Sequence, residues 1–265
     1  MYIKNSMKIL LILFIYTNSS IYSSEFDLTL KYISKQSVND NLIGIDELEN
    51  LYFLDNNTLS KKSKNITYYY KNNIYSNLSY LNVKSSMKLK LFYEDYNTMI
   101  ILDNRLSEIS KINFNISDYN KTISKVSSIS ENNFWVFNES SSKIEMYNNI
   151  KNSFSLTSTE IEGEIIDMKS NNKFCWIITK NKIYKFNSFG ILIHKKEINN
   201  IGQIKINDGI VFFKRNNEIY YFDKNLTSDK KLNIENLLIK DFFVINQSLY
   251  IYDSEQLIKY KIINN

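Results

Sequence analysis

The chain of 265 residues lacks proline and alanine, and it has one cysteine, one histidine and five glycines. Because Cys175 is alone, no internal disulfide can form, and its place between Phe174 and Trp176 predicts a buried thiol. His194 is the only histidine, which excludes a histidine-pair metal site. Its predicted outer strand also disfavours a Ser-His-Asp set. No glycine-rich nucleotide loop or Gly-x-Ser-x-Gly elbow occurs. We therefore expect no cofactor, no resident metal and no catalytic set.

Charge gives little information about partners. The formal net charge is +5, of which Lys4 and Lys8 contribute two, so residues 25–265 carry +3. This excess is too small to indicate nucleic acid or an anionic membrane, and we expect no nucleic-acid partner. The acidic segments Glu94-Asp95 and Asp253–Glu255 are too short for a calcium-binding loop. A pair of carboxylates contributed by two different blades, as glycoside hydrolysis requires, is still compatible with the sequence.

The first 24 residues have the pattern of a cleaved secretory signal. Lys4 and Lys8 precede eight unbroken apolar residues, Ile9–Tyr16, and small polar residues follow up to position 24. Eight helical residues are much shorter than the hydrocarbon core of about 30 Å, so we expect no permanent membrane helix. A translation start at Met7 is an alternative. The predicted cleavage site has no cysteine, so we do not expect a lipid anchor. Residues 25–265 are then expected to form one exported domain. Its expected location is the periplasm, the outer membrane through a partner, or the extracellular space.

The most informative pattern is a short apolar-aromatic run that recurs six times. The runs begin at Leu51, Leu91, Phe134, Phe174, Ile210 and Leu249, at intervals of 40, 43, 40, 36 and 39 residues. A four-stranded β-propeller blade has a period of roughly 40–50 residues. Both faces of each run are apolar, as in strands buried on both sides. The pattern predicts an all-β, six-bladed β-propeller of four-stranded antiparallel blades.

The other strands of each blade can be placed around these runs. First, innermost strands are predicted at Leu42–Asp46, Tyr80–Lys84, Val126–Ser130, Ile165–Lys169, Gly202–Ile206 and Lys240–Ile245. Third strands are predicted at Thr58–Lys62, Met99–Leu102, Lys143–Tyr147, Lys182–Phe186, Glu218–Phe222 and Gln256–Ile262. More polar outer strands are predicted at Glu108–Phe114, Lys151–Leu156 and Lys230–Ile234. Thr58–Lys62 fits least well because it is almost wholly polar.

The two chain ends predict how the ring closes. The sixth unit stops after its third strand, and an unpaired strand-like segment, Phe26–Ile33, precedes the first unit. If Phe26–Ile33 becomes the outer strand of the last blade, the ring closes and an exposed sheet edge is removed. The alternative is a β-sandwich or an open repeat array, in which the terminal segments would not pair.

A family resemblance supports the same fold. The stretch Leu91–Ile109 (LFYEDYNTMIILDNRLSEI) and the following Phe134–Asn138 (FWVFN) resemble an uncharacterised family of exported bacterial six-bladed propeller-like proteins. The resemblance implies a propeller that serves as a binding scaffold at the cell envelope. It implies no catalytic residues.

Candidate contact residues lie in the turns between second and third strands, which meet on one rim of a propeller. Blade two carries Glu94, Asp95 and Tyr96, with Tyr96 as a possible aromatic anchor. The basic residues are Lys180 and Lys182 in blade four, and Lys214 and Arg215 in blade five. One arc of the rim is thus expected to be basic and the remainder acidic, which would select a partner electrostatically. The simpler interpretation is that these are solvated turn charges.

The functional hypothesis is a non-catalytic, exported scaffold that contacts another cell-envelope protein through these rim turns. The alternative is a glycan-binding or glycan-processing protein that uses the central pocket of the ring. A diverged propeller without a ligand is a third reading. The sequence does not predict an oligomeric state.

Overall fold

A computed structural model describes residues 26–115, 121–234 and 237–264. Within these ranges the chain forms 24 strands in six antiparallel sheets of four strands each. The first strands of successive sheets are neighbours around a ring, and the first strand of blade one also neighbours that of blade six. The predicted six-bladed β-propeller is therefore confirmed. The predicted signal peptide, residues 1–24, lies outside the described residues.

The strands follow the repeated order first, second, third and fourth from the axis outward. The first strands are β2 Leu42–Ile45, β6 Tyr80–Asn82, β10 Ile123–Ser128, β14 Ile165–Ser170, β18 Ile204–Asn207 and β22 Asp241–Ile245. The second strands are β3 Leu51–Asp55, β7 Lys88–Tyr93, β11 Asn133–Asn138, β15 Phe174–Thr179, β19 Ile210–Arg215 and β23 Ser248–Tyr252. The third strands are β4 Thr58–Ser63, β8 Thr98–Asp103, β12 Lys143–Asn148, β16 Lys182–Asn187, β20 Glu218–Phe222 and β24 Gln256–Asn264. The fourth strands are β5 Ile66–Lys71, β9 Glu108–Asn113, β13 Ser153–Thr157, β17 Leu192–Glu197, β21 Asp229–Lys231 and β1 Leu28–Ser37.

The ring closes where the two ends of the chain pair. Strand β1 is the outer strand of blade six and runs antiparallel to β24, with Leu28 opposite Asn264 and Ser37 opposite Gln256. A bulge lies between Tyr32 and Ser34. The predicted closure is confirmed, and the sandwich and open-array alternatives are wrong. The pairing extends beyond the predicted Phe26–Ile33 because it continues to Ser37.

The core consists of the interfaces between neighbouring blades. In β15, Cys175 and Ile177 pack with Trp135 of blade three, whereas Trp176 and the residues alternating with it pack with blade five. Trp135 and Trp176 are both essentially buried, at 1% and 0% exposure. The side chains still alternate between the two faces of the strand, but both faces are covered. This explains why the second strands are apolar throughout.

Asparagine supplies many of the positive-φ turn conformations that glycine would otherwise provide. Asn56 and Asn57 have φ of 45° and 64°, and Asn216 and Asn217 have φ of 48° and 64°. A two-residue hairpin turn with positive φ at both central positions matches the right-handed twist of the strands. Asparagine tolerates this region better than most other residues with a side chain. A chain with five glycines can therefore still make tight hairpins.

The polar third strand of blade one contains a buried charged network. Lys61 on β4 is only 4% exposed, and its Nζ lies 3.9 Å from Oδ2 of Asp46, which is 0% exposed. Lys61 Nζ also donates to the carbonyl oxygen of Asn104 in blade two, at 3.1 Å. In blade four, Lys185 Nζ donates in the same way to the carbonyl oxygen of Lys224 in blade five, at 2.6 Å. In these two blades a lysine in the third strand joins neighbouring blades through a main-chain carbonyl.

Some predicted strand boundaries differ from the structure. The outer strands predicted at Lys151–Leu156 and Lys230–Ile234 are β13 Ser153–Thr157 and β21 Asp229–Lys231. The first strand predicted at Val126–Ser130 begins earlier, because Ile123 already pairs with Asn138. Outer strands carry mixed polar and apolar residues, so their sequence pattern marks their ends poorly.

Candidate functional site

The propeller has two ends with different turns. We call one end the rim face; it carries the second-to-third turns, which contain residues 56–57, 94–97, 139–142, 180–181, 216–217 and 253–255, together with the connections between blades. We call the other end the mouth face. It carries the first-to-second turns, residues 46–50, 83–87, 129–132, 171–173, 208–209 and 246–247. It also carries the third-to-fourth turns, residues 64–65, 104–107, 149–152, 188–191 and 223–228.

A cavity of about 820 Å³ occupies the centre of the ring and opens at the mouth face. Its wall is formed by the ends of the first strands and the turns that follow them. The polar lining is Tyr80, Asn82, Ser127, Ser170, Asn171, Asn207, Asn246, Gln247 and Ser248. The charged lining is Glu47, Glu49, Lys84, Lys169, Lys205, Asp208, Lys259 and Lys261. Cavities of this size accommodate small-molecule ligands.

Two lysines that line this cavity, Lys169 and Lys205, pair with aspartates of first strands that are not part of its lining. On β14, Lys169 Nζ lies 2.6 Å from Oδ1 of Asp167, and the other oxygen of Asp167 accepts the backbone N–H of Ile204 at 3.0 Å. Next to them, Lys205 Nζ lies 3.5 Å from Oδ1 of Asp241. Each carboxylate therefore faces an ammonium group from the cavity wall.

The four charges influence one another. Burial lowers the pKa of Lys205, and the nearby Lys169 adds to this, although Asp241 and Asp167 oppose it. Burial also disfavours the charge of Lys169, but the attraction of Asp167, its hydrogen bond and Asp241 outweigh it, so this pKa is raised. Because the cluster contains two ammonium and two carboxylate groups, it favours a ligand with both hydrogen-bond donors and acceptors over a ligand with a single strong charge.

The cavity continues as a groove along the seam between blades six and one. Ile33, on the outer strand of blade six, lines it together with Lys259 and Lys261 of β24. Lys259 Nζ is held by Glu49 of blade one at 2.5 Å, which bridges the seam where the ring closes. The site therefore depends on the pairing of the two chain ends.

The acidic contact residues predicted in blade two lie on the rim face as expected, but they also make contacts within the protein. Glu94 pairs with Lys125 of blade three at 3.3 Å, and Asp95 accepts Asn77 Nδ2 at 3.0 Å. The ring of Tyr96 packs edge-on against Tyr75, at 4.9 Å between centroids. These residues form a short 3-10 turn, Glu94–Tyr96, that is held in place from its sides. Their role in binding a partner stays a prediction.

The basic residues predicted in blades four and five lie on the same face, and three of them have partners. Lys182 Nζ pairs with Glu162 at 2.6 Å. Arg215 pairs with Asp229 at 2.8 Å and lies over the ring of Tyr220, and Lys214 Nζ donates to the carbonyl oxygen of Ile239. Lys180 is exposed and makes no ion pair within the described structure. The basic arc is thus partly neutralised by contacts that the sequence did not reveal.

The surroundings of Cys175 and His194 are not those of typical catalytic residues. Cys175 is completely buried between blades, and burial raises the pKa of its thiol. His194 lies on β17, the outer strand of blade four, as predicted. Among residues 26–115, 121–234 and 237–264, no group of three His, Cys, Asp or Glu side chains is arranged to hold a metal ion. In the same part of the chain, no helix has the length and apolarity to cross a bilayer.

Sequence reasoning located the first strands but missed the charges at the ring centre. The signal was present in the alternating polar positions of β14, Asp167 and Lys169, and in Lys205 and Asp241 of the next two blades. Four charged residues in inner strands would be costly to bury unless they met one another. Only the ring geometry brings them together.

Comparison with known proteins supports the fold. No family model and no curated protein matches the chain, so the family resemblance in the sequence extends no further than the fold. Virginiamycin B lyase from Staphylococcus aureus is 14% identical, with 84% of this chain and 80% of that chain covered and a TM-score of 0.58. A streptogramin B lyase structure is 12% identical, with 91% and 98% covered and a TM-score of 0.54.

A third similar structure is that of a protein other than a lyase. BamB from Moraxella catarrhalis is 8% identical, with 88% of this chain and 98% of that chain covered and a TM-score of 0.56. Identities this low show a shared propeller fold alone. Because that fold carries both enzymes and other proteins, it does not decide between catalysis and binding.

Proposed function

We propose that this protein is an exported, non-catalytic scaffold that binds another protein of the cell envelope through its rim face. The observation that supports this most is a set of charged side chains, in or next to rigid turns, that make no ion pair within the described residues. Asp55, Glu139 and Glu255 are exposed there, and Lys180 is an exposed base. Turns fixed by a rigid sheet lose little entropy when they bind a partner.

The blade-two turn adds a second reason. Asp95 is exposed at its tip, while Tyr75 packs against Tyr96 from below. A preorganised turn with an aromatic base and a charged tip favours specific protein contact. We therefore keep Glu94, Asp95, Tyr96, Lys180, Lys182, Lys214 and Arg215 as the proposed contact set.

The test is affinity capture from the native envelope after mild chemical cross-linking. Asp95→Lys combined with Lys180→Glu should sharply reduce recovery of a stoichiometric partner without changing thermal stability, since both side chains are exposed. Lys173→Glu, an exposed lysine on the mouth face, is the matched control and should bind normally. Failure to recover any stoichiometric protein, or equal loss with the control, would contradict the proposal.

A second candidate function is glycan binding in the central cavity. The specific observation is the lining of amide and hydroxyl groups around Tyr80, with the ring of Tyr80 lying 5.8 Å from Lys169 Nζ. Hydroxyl-rich ligands match such a mixture of donors and acceptors. Calorimetry with cell-wall oligosaccharides should show binding that Lys205→Gln weakens and Lys173→Gln does not. No heat with any fragment would count against it.

A further inference from the structure

A second, smaller pocket lies on the rim face between blades two and three. Its volume is about 220 Å³. One wall is the blade-two turn, residues 94–97, and the other is formed by residue 115 and by residues 121–124, where the chain enters blade three. Clefts that hold drug-sized ligands are larger, at roughly 300–1,000 Å³. This pocket therefore has the size for a single side chain or a similarly small group.

The two walls of the pocket are fixed to each other by the buried side chain of Asn97. Its Nδ2 donates to Oδ1 of Asn115 at 2.8 Å and to the carbonyl oxygen of Lys121 at 2.7 Å. Its Oδ1 accepts the backbone N–H of Ile123 at 3.2 Å. Because these bonds already hold both walls, a ligand would not have to order them, which lowers the entropic cost of binding.

Ser124 lines this pocket and has a buried hydroxyl without a hydrogen bond. The residue is 2% exposed, and its Oγ has no partner among the described residues. Ser124 is the extra residue of a β-bulge in β10, between the pairs that Ile123 and Lys125 make with β11. Bulges often redirect a side chain next to a functional site. Since a buried hydroxyl without a partner costs free energy, a ligand that bonds to Oγ gains from satisfying it.

The bulge itself does not require a serine. At the matching bulges of blades one and four, the extra residues are Ile43 and Ile166. An apolar side chain is therefore compatible with this backbone geometry. We attribute the hydroxyl in blade three to its place in the pocket wall.

The charges of the pocket favour a cation. Its charged lining residues are Glu94, Asp95 and Lys121. Lys121 Nζ pairs with Glu145 at 2.6 Å, and Lys125 Nζ pairs with Oε2 of Glu94 at 3.3 Å. Asp95 is exposed and makes no ion pair within the described residues. The carboxylate of Asp95 is thus the charge that remains for a ligand.

We propose that this pocket binds a lysine or arginine side chain of the protein partner. The cationic group would pair with the carboxylate of Asp95 and donate to the hydroxyl of Ser124, and the methylene groups would pack against Tyr96. This inference rests on the proposed function, because the partner supplies the cation. It adds Ser124, which the sequence did not predict, to the contact residues of the rim face.

The first measurement is an NMR titration of the isotope-labelled protein with n-butylammonium and n-propylguanidinium, which represent the two side chains. We expect saturable shifts of the backbone amides of residues 94–97 and 121–124, smaller at high salt and absent with n-butanol. Ser124→Ala should weaken binding of both cations about tenfold. Asp95→Asn should weaken it about threefold, because this carboxylate is exposed.

Ser128→Ala is the matched control. Ser128 lies on the same strand and its Oγ is also buried without a hydrogen bond, but Ser128 does not line this pocket. Both serine variants should keep the melting temperature of the wild type, since neither loses a side-chain hydrogen bond. Ser128→Ala should bind both cations normally. The absence of shifts at the pocket residues, or equal weakening by the two serine variants, overturns the proposal.

Capture from the native envelope separates this inference from the proposed function. Ser124→Ala should recover about tenfold less partner than Ser128→Ala. Equal recovery of a partner by both variants overturns the assignment of the pocket, although the proposed function would stand. If the wild type recovers no stoichiometric protein while the two cations still bind, the proposed function fails and the cation site is supported.

Discussion

The buried carboxylate of Asp46 is predicted to be one of the most important single polar groups for stability. Its Oδ1 accepts the backbone N–H groups of Leu48 and Asn50, at 3.0 and 2.9 Å. Its Oδ2 accepts Asn50 Nδ2 at 2.8 Å and the hydroxyl of Tyr52 at 2.9 Å, with Lys61 Nζ at 3.9 Å. Burial, reinforced by the charge of Asp46, raises the pKa of Tyr52, so this hydroxyl stays a donor.

Replacing Asp46 with alanine removes the partner of Tyr52 and Lys61 together. An orphaned buried polar group costs about 1–3 kcal/mol, and a buried pair that loses one member costs about 3–5 kcal/mol. Lys61 keeps its bond to the carbonyl of Asn104, so we expect a total loss of about 3–5 kcal/mol. For a domain of this size the melting temperature should fall by about 6–20 °C.

Urea unfolding followed by the fluorescence of the buried tryptophans measures this loss. Asp55→Ala is the control, because Asp55 is exposed on the rim face and should change stability by less than about 0.5 kcal/mol. Asp46→Ala combined with Tyr52→Phe should be less destabilised than the sum of the two single changes, by about 1–3 kcal/mol, since no hydroxyl is orphaned. A loss below about 1 kcal/mol for Asp46→Ala, or strict additivity, would refute the network.

Three further predictions concern the interfaces between blades. Trp135→Ala should cost about 3–5 kcal/mol in urea unfolding, because Trp135 is 1% exposed between blades three and four; an unchanged midpoint would contradict that packing. Lys185→Met should cost less than about 1.5 kcal/mol at neutral pH, because the methylenes still pack and burial lowers the pKa of Lys185. Between the lowered pKa of folded Lys185 and 10.5, the unfolded wild-type chain binds more protons than the folded protein. The stability of the wild type relative to this variant should therefore rise as pH approaches 10.5, and a relative stability that falls with pH contradicts the prediction. Cys175 should resist iodoacetamide at pH 8 until the protein is unfolded, and labelling of the native protein would show that its blade interface opens.

The sequence predicted the ring from information that is local and repeated. Runs such as Phe134–Asn138 recur because every blade needs a second strand that is covered on both sides. The segments Phe26–Ile33 and Gln256–Ile262 could be matched because each lacked a partner within its own unit. Boundaries of the outer strands were less accurate, since those strands alternate polar and apolar residues over only a few positions.

The contacts of the predicted rim residues could not be obtained in this way. Lys182 meets Glu162, and Lys214 meets the carbonyl of Ile239, through turns and connections without regular spacing. A lysine in a turn looks the same in sequence whether it is paired or free. Its role depends on where the connection between blades passes.

The amino-acid sequence by itself determined the number of blades and the strand that closes the ring, because hydrophobic burial repeats with the blade and leaves two unmatched ends. The tertiary structure alone decided the electrostatics. It brought Asp167 and Lys169 against Lys205 and Asp241 at the centre, and it paired the rim residues Lys182 and Arg215 with Glu162 and Asp229. Burial depends mainly on residue type and period, whereas the interaction of two charges depends on the distance between them, which only the closed ring sets.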